Sequence, residues 1–267
     1  MRFNRTAAIL LRQFYLMRGS VARLLPLFAW VAVDILLWGF ITRYLNSVAQ
    51  AGFNFVPVLL GAVLLWDFFT RVMQGVTTAF LEDVWSRSFL NIFATPLSIS
   101  EYVGGLVLTS IATSTLGLVV MLVLATTVFG LSYLSYGLML VPFLLVLFLF
   151  GIALGIAGAA LVLRLGPASE WFIWPIPAMI SPFVGVFYPL STLPVWMQYI
   201  AHILPPSYVF EGMRAIVLGG TFSGTVLIWG ICLAAGYILL AGWFFMRVYR
   251  YAVRTGLLAR YSAESAS

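Results

Sequence analysis

Three charged residues lie inside long apolar stretches of the sequence. Asp34 is about twelve residues into the first stretch, and Asp67 and Arg71 are one helical turn apart in the second. A charge near the middle of a bilayer costs roughly 2.5–3.5 kcal/mol. We therefore expect Asp67 to pair with Arg71, and Asp34 to approach Arg71 from a neighbouring helix. The cluster is either a buried ion network that fixes helix packing or a set of polar groups that line a transport path.

Residue types on which most enzymes depend are scarce. All 14 basic residues are Arg, and the chain has one His, His202, and one Cys, Cys232. Without Lys there is neither a P-loop for nucleotide nor a Schiff base. One His and one Cys cannot form a His/Cys metal site, a disulfide within the chain or a recognisable nucleophile–base pair. We expect no catalytic residue, no metal and no cofactor in this chain, and no nucleic-acid partner.

Membrane spans are the elements that must position the charged residues. The sequence is 63% hydrophobic and 8% charged, whereas soluble proteins carry about 25% charged residues, so a soluble enzyme is excluded. Stretches of about 20 apolar residues predict an all-α polytopic membrane protein with spans at 22–45, 55–80, 102–130, 137–163, 171–190 and 224–247. The fifth span is rich in proline and is expected to cross as a broken helix. We expect residues 1–267 to form a single transmembrane domain, because no polar linker interrupts them.

The distribution of Arg predicts the orientation. Arg residues concentrate near both ends of the sequence and also occur in the 81–101 and 164–170 loops, whereas the 46–54 and 131–136 loops carry no charge. By the positive-inside rule both termini are cytoplasmic, which requires an even number of spans.

Residues 1–20 are expected to form an amphipathic helix in the cytoplasmic interface. Apolar and basic side chains separate onto opposite faces at helical spacing. This pattern is typical of helices that place their basic residues among lipid headgroups. The apolar face holds Phe3, Ala7, Leu10, Phe14 and Met17, and the basic face holds Arg2, Arg5 and Arg12.

Two loops and one helix face carry further patterns. The 81–101 loop alternates charged and aromatic residues before Thr95-Pro96, which predicts a short amphipathic helix that lies on the membrane or docks into a soluble partner.

Residues 191–220 are apolar but interrupted by proline, which predicts short re-entrant helices at the outer side. There Glu211 and Arg214 can pair at i,i+3 and hold the segment together, beside Tyr208. In the fourth span, Gly151, Gly155 and Ala159 form a small-residue face that predicts close helix contact.

The pattern as a whole resembles the type-2 ABC exporter permeases. The resemblance is carried by an amphipathic helix before six spans, by the segment LEDVWSRSFLNIFATPLSISEYVGG, and by FYPLSTLPVWMQYIAHILPPSYVFEGMRAIVLGG before the last span. It covers essentially the whole sequence. The third feature is the most specific, because a Pro-rich turn followed by E-x-x-R is unusual in membrane proteins.

The resemblance implies a function and a set of partners. The chain would be a permease in the bacterial inner membrane that pairs with a second copy of itself, contacts lipid, and is driven by two separate ATPase subunits that hold ATP and Mg²⁺. It would export an amphipathic, lipid-like or glycan-type substrate. Residues 82–97 would form a coupling helix whose contacts with the ATPase include Glu82, Asp83, Trp85, Arg87, Phe89 and Pro96. The substrate path would be lined, with Asp67, by residues of the second and fifth spans such as Phe68, Phe69, Trp174, Met179, Phe183 and Phe187. The segment with Tyr208, Glu211 and Arg214 would act as an outer gate.

Two alternatives stay open. A proton-coupled secondary carrier would use Asp34 and Asp67 as its titrating groups, although such carriers often show matched broken helices that are missing from this sequence. The other is a non-transporting membrane subunit, such as an assembly factor or a haem-handling component. One His and nine Met are a weak basis for cofactor ligation, but a haem could be passed along and not held.

Overall fold

The structure, a computed structural model, describes residues 3–19, 21–48, 54–86, 91–92, 95–132, 136–220 and 224–257. These residues form α-helices, short 3₁₀ segments and one π-helical turn, with no strand among them. The all-helical fold is therefore confirmed for the described part of the chain. The helices are α1 Phe3–Arg18, α2 Val21–Val48, α3 Gly61–Trp85, α4 Ile99–Phe129, α5 Leu140–Leu165, α6 Glu170–Ile173, α7 Ile176–Val184, α8 Val195–Ile203, α9 Pro205–Val217 and α10 Gly224–Thr255.

Five segments are long and apolar enough to cross a membrane: Ala29–Val48, Val56–Trp85, Ile99–Phe129, Gly137–Leu165 and Gly224–Thr255. They correspond to five of the six predicted spans. The first is shorter than predicted and begins seven residues later, and the other four are longer than predicted. The segment Val56–Trp85 includes a π-helical turn, Val56–Leu60, before α3. Multiple apolar helices of this length make the chain a multi-pass membrane protein.

The sequence S-x-x-E explains where α4 begins. Ser98 is the N-cap of this helix, and its hydroxyl accepts a hydrogen bond from the backbone N–H of Glu101 at 3.3 Å. In return a carboxylate oxygen of Glu101 accepts from the backbone N–H of Ser98 at 3.0 Å. This reciprocal capping box satisfies two donors that the first turn of a helix would otherwise leave free. It fixes the register of α4 directly after Pro96.

Small residues let α5 pack closely on α3. A Cβ atom built on Gly151 would lie 2.9 Å from Val72 Cγ1, and one on Gly155 would lie 2.8 Å from the carbonyl oxygen of Met73. Ala159, next on the same face, is 2% exposed. The predicted small-residue face of the fourth span is thus confirmed as a helix contact.

The region predicted as the fifth span is broken into short helices. α6 has four residues and α7 has nine, and Gly185 then turns the chain with φ +63°. Only a residue without a Cβ adopts this conformation at little cost, and a Cβ here would also lie 2.8 Å from the carbonyl oxygen of Tyr188. Neither helix is long enough to cross a membrane alone. A crossing of this region as a sixth span, and re-entry of the 191–220 segment, stay predictions.

α1 lies across the end of the bundle where α3 ends and α4 begins, which we call the basal end. Its buried residues Thr6, Ile9 and Gln13 face the protein, whereas Leu11 and Phe14 are exposed by 55% and 52%. Arg5 and Arg12, which the sequence places among lipid headgroups, both pair with acids of the chain. Location of α1 at a membrane surface stays a prediction.

Candidate functional site

A cavity of about 520 Å³ lies between α1, α2, α3 and α4, and we call it the polar cavity. Its size is within the range of about 300–1,000 Å³ that is typical of ligand sites. Most of its lining side chains are hydrogen-bonding or charged. They are Gln13, Met17, Trp30, Asp34, Asp67, Thr70, Arg71, Gln74, Gly75, Thr78, Ala79, Glu82, Thr109, Thr113, Ser114 and Trp174.

One stripe of α3 forms the longest wall of the polar cavity. Its polar residues recur every three or four positions, which places them on a single helix face: Asp67, Thr70, Arg71, Gln74, Thr78 and Glu82. Because an α-helix rises 1.5 Å per residue, Asp67 and Glu82 are roughly 22 Å apart along the axis. The stripe therefore reaches from the basal end to a depth at which a membrane span is normally apolar.

The structure brings Asp34, Asp67 and Arg71 to the inner part of the polar cavity. All three residues line it, and Arg71 interacts electrostatically with both carboxylates across α2 and α3. Within the described ranges neither Asp34 nor Asp67 forms a salt bridge shorter than 4 Å. One guanidinium therefore attracts two carboxylates without direct contact, and its single positive charge can neutralise only one of their two negative charges.

Several buried polar atoms of the cavity wall have no hydrogen-bond partner among the residues that the structure describes. They include the amide nitrogen of Gln13 and the hydroxyl of Ser114, and these two residues are 3% and 2% exposed. One carboxylate oxygen of Asp67 and the hydroxyl of Thr70 are in the same state. A buried polar group without a partner costs about 1–3 kcal/mol. Buried polar atoms in native proteins are nearly always hydrogen-bonded, so we expect water or a ligand to complete these groups.

A second polar cluster, the basal network, joins three helices at the basal end. Arg12 of α1 lies 2.6 Å from one carboxylate oxygen of Asp83, and the hydroxyl of Tyr102 donates to the other oxygen at 2.8 Å. Asp83 is 1% exposed and Tyr102 is fully buried. Arg5 lies 3.6 Å from Glu101 and also donates to the carbonyl oxygen of Pro96.

The basal network decides which of the residues that were expected to contact an ATPase remain exposed. Trp85, at the end of α3, is 51% exposed and available to a partner. The side chain of Asp83 is committed to Arg12 and Tyr102, and Glu82 lines the polar cavity. Helix α3 continues to Trp85, so residues 82–85 extend a span and do not begin a separate coupling helix. Pro96 is exposed, whereas Arg87 and Phe89 lie outside the described residues.

The aromatic residues that were expected to line a substrate path are distributed differently. Phe68 and Phe69 are 5% and 0% exposed, and the Phe69 ring stacks on Phe150 with centroids 5.6 Å apart, so both belong to the core. Trp174 does line the polar cavity. The remaining three lie on the broken region: Met179 is 67% exposed, Phe183 meets Trp196 edge to face, and Phe187 stacks on Trp38 at 4.8 Å.

Arg214 joins α9 to the turn after α7. Its guanidinium donates to the carbonyl oxygens of Gly185 at 2.7 Å and Val186 at 3.3 Å, and it pairs with Glu211 at 2.8 Å. Glu211 also accepts a hydrogen bond from the backbone N–H of Leu190 at 2.9 Å. Arg214 is 6% exposed, and its pair with Glu211 is the one that the i,i+3 spacing predicts. The hydroxyl of Tyr208 donates to the carbonyl oxygen of His202 at 2.7 Å, which gives Tyr208 a separate structural role.

Sequence reasoning missed several residues of these sites. The polar stripe of α3 was readable, because Thr70, Gln74 and Thr78 share the helix face of Asp67. The capping box at Ser98 was readable from S-x-x-E. The contact of Arg12 with Asp83 joins residues 71 positions apart, and no spacing rule predicts it. Among the described residues, no group of three or more His, Cys, Asp or Glu side chains could hold a metal ion.

Comparison with known proteins gives a family match. The family model described as "ABC-2 type transporter" matches residues 6–218 of the chain. This range includes every residue that lines the polar cavity and both partners of the Arg214–Glu211 pair. No curated protein matches the chain.

Proposed function

The chain belongs to the ABC-2 type transporter family, and on that premise we propose that it is the permease subunit of an exporter. The family makes it a transmembrane component that works with an ATP-binding subunit. The sequence contains no Lys and so no P-loop, and in our proposal the partner binds ATP with Mg²⁺. In our proposal two copies of the chain form a homodimer in a bacterial inner membrane with two ATPase subunits, and they export an amphipathic, lipid-like or glycan-type substrate.

The polar cavity is the observation that carries this proposal. Polar side chains are expensive within a membrane span and are found where they line a pathway or pair with one another. Here a stripe of them follows α3 over roughly 22 Å, and it begins at Glu82, close to the loop between α3 and α4. A substrate that enters from the basal end would meet hydrogen-bonding groups as far as Asp67 and Asp34. An orientation that places the basal end and both termini in the cytoplasm agrees with the positive-inside rule, because Arg residues lie at that end.

In the proposed mechanism the loop between α3 and α4, within residues 82–97, transmits the motion of the ATPase. Trp85 is exposed there, and α3 connects it rigidly to the stripe of the polar cavity. Closure of the ATPase pair on ATP displaces the end of α3 and opens the cavity outward. Nucleotide must bind the outward-facing state more tightly than the inward-facing one, because a ligand shifts a conformational equilibrium only by its difference in affinity.

The outer side is closed by the broken region. In this proposal α6 and α7 cross as a discontinuous sixth span, and α8 and α9 re-enter the outer leaflet as a gate. The tie between Arg214 and the carbonyl oxygens of Gly185 and Val186 supports this, because it satisfies backbone groups of a non-helical turn. Irregular backbone is tolerated at membrane depth when protein groups satisfy it.

The test is co-expression with the ATPase encoded beside the chain, followed by purification and ATPase measurement in liposomes. A chain that lacks residues 84–95 should neither retain the ATPase nor support its activity. Trp85→Ala should weaken both, since it removes an exposed aromatic anchor at the base of α3. Trp229→Ala is the matched control, because Trp229 is 66% exposed near the start of α10. Equal effects of the two Trp variants would contradict coupling at the end of α3.

A proton-coupled carrier is the second candidate function. It is favoured by one observation, that Asp34 and Asp67 line a cavity without a salt bridge among the described residues. Transport that a protonophore abolishes and that ATP depletion leaves intact would establish it in place of the exporter.

A further inference from the structure

Among the described residues, the lining of the polar cavity has more acidic than basic side chains. Its lining includes three carboxylates, of Asp34, Asp67 and Glu82, and one guanidinium, of Arg71. Two basic residues of α1 are committed elsewhere, because Arg12 pairs with Asp83 and Arg5 pairs with Glu101. The inner part alone has two carboxylates around one guanidinium. An uncompensated carboxylate within a membrane is costly, so this arrangement calls for a positively charged occupant.

The described residues do not favour a metal ion as that occupant. The described residues hold no group of three or more acidic, His or Cys side chains in metal-binding arrangement. The cavity is also much larger than a metal ion requires, at about 520 Å³. An organic molecule of moderate size fits both the volume and the spacing of the charges.

Two indole rings complete the wall. Trp30 and Trp174 line the polar cavity and remain 64% and 45% exposed. Indole faces attract organic cations by about 0.5–2 kcal/mol. Trp174 is oriented by a hydrogen bond from its ring nitrogen to Glu170 at 2.7 Å. The buried and unpartnered groups of Gln13 and Ser114 add hydrogen-bonding positions for the polar part of the same molecule.

From these observations we propose that the polar cavity binds an amphipathic organic cation, with the positive group between Asp34 and Asp67 and the apolar part against Trp30 and Trp174. This inference rests on the proposed function, because it identifies the substrate class of the exporter. Arg71 limits the affinity: it neutralises one carboxylate and leaves one for the ligand.

The probe for the test is tritiated tetraphenylphosphonium, bound to the full-length chain in phosphatidylcholine nanodiscs. The native chain should bind it saturably, and Asp67→Asn and Asp34→Asn should each lower the affinity about tenfold or more, which corresponds to about 1.4 kcal/mol. Glu264→Gln, which makes the same change of charge nine residues past the end of α10 in the sequence, should leave the affinity unchanged. Tetraphenylborate has the same shape and the opposite charge, so its binding should not depend on Asp34 or Asp67.

Arg71→Gln gives a result that misfolding cannot imitate. Removal of the guanidinium leaves both carboxylates for the ligand, so this variant should bind tetraphenylphosphonium several-fold more tightly than the native chain. Equal binding by the native chain and the Asp67→Asn variant would overturn the proposal, and so would weaker binding by Arg71→Gln. Binding requires no ATP. ATPase coupling without cation binding therefore refutes this inference alone, whereas cation binding without ATPase coupling refutes the exporter.

Discussion

Replacement of Arg12 should destabilise the basal end by a predictable amount. Arg12 lies 2.6 Å from the carboxylate of Asp83, which is 1% exposed. Removal of one partner from a fully buried ion pair costs about 3–5 kcal/mol, whereas an exposed pair contributes about 0–1 kcal/mol. The Arg12 side chain is 30% exposed, so we expect a value between these limits, about 2 kcal/mol for Arg12→Met. The remaining hydrogen bond from Tyr102 keeps Asp83 in place without balancing its charge.

A double-mutant cycle tests this reasoning. Asp83→Asn removes the buried charge and retains an acceptor for Tyr102, so the Arg12→Met/Asp83→Asn double variant should be more stable than Arg12→Met alone. The measurement is the thermal midpoint of the purified chain in detergent. For a chain of this size, about 2 kcal/mol corresponds to a decrease of roughly 4–8 °C. Arg18→Met is the control, because Arg18 is exposed at the end of α1.

Two results would refute the basal network as a source of stability. One is a midpoint for Arg12→Met that equals the native value, which would mean that Asp83 does not depend on Arg12. The other is a double variant that is less stable than Arg12→Met, because the orphaned charge would then not be the origin of the loss.

Two further predictions concern packing and the outer segment. Gly155→Ala should lower stability by about 1–3 kcal/mol, since its Cβ would lie 2.8 Å from the backbone carbonyl of Met73. Gly236→Ala is the control, because a Cβ there meets no atom within 4 Å in the described structure. It should be neutral or slightly stabilising in the same thermal assay. Arg214→Gln should lower the free energy of unfolding by about 2–3 kcal/mol, because it removes charged donors from two carbonyl oxygens and a carboxylate. Arg214→Lys should restore little of this stability. The measurement is proteolysis at the turn around Gly185, and full rescue by Lys would refute a role for the forked guanidinium.

Much of the fold could be predicted because membrane spans depend on composition and length. Five apolar segments were located from hydropathy alone, and the close contact of α5 with α3 followed from the spacing of Gly151 and Gly155. The local pair of Glu211 and Arg214 followed from i,i+3 spacing. Each of these depends on residues within a few turns of one another, where helix geometry determines the contacts.

The basal network and the composition of the cavity wall were not predicted. Arg12 meets Asp83 only because α1 crosses the bundle end, and sequence spacing does not determine the direction in which a surface helix is rotated. Aromatic residues such as Phe69 were chosen for the substrate path by their type. Aromatic rings on a membrane span are explained by packing against one another in the core. The polar side chains of Thr70, Gln74 and Thr78 gain nothing from such packing, so their presence on a membrane span needs another explanation. A polar stripe at helical period is the better signal of a path.

The contacts around the polar cavity also determine which of its walls can move. α3 is joined to α4 by the hydrogen bonds of Tyr102 to Asp83 and of Ser110 to the carbonyl oxygen of Val72, at 2.8 Å each. α2 packs on α4, where Phe40 meets Phe129 edge to face at 5.4 Å, and it also contacts the broken region, where Trp38 stacks on Phe187. If α3 and α4 pivot about the contact of Phe40 with Phe129 under the proposed ATPase, the wall with Asp67 shifts against the wall with Asp34. The two carboxylates would then separate, and a cation held between them in the inward-facing state would lose one of its two partners as the cavity opens outward.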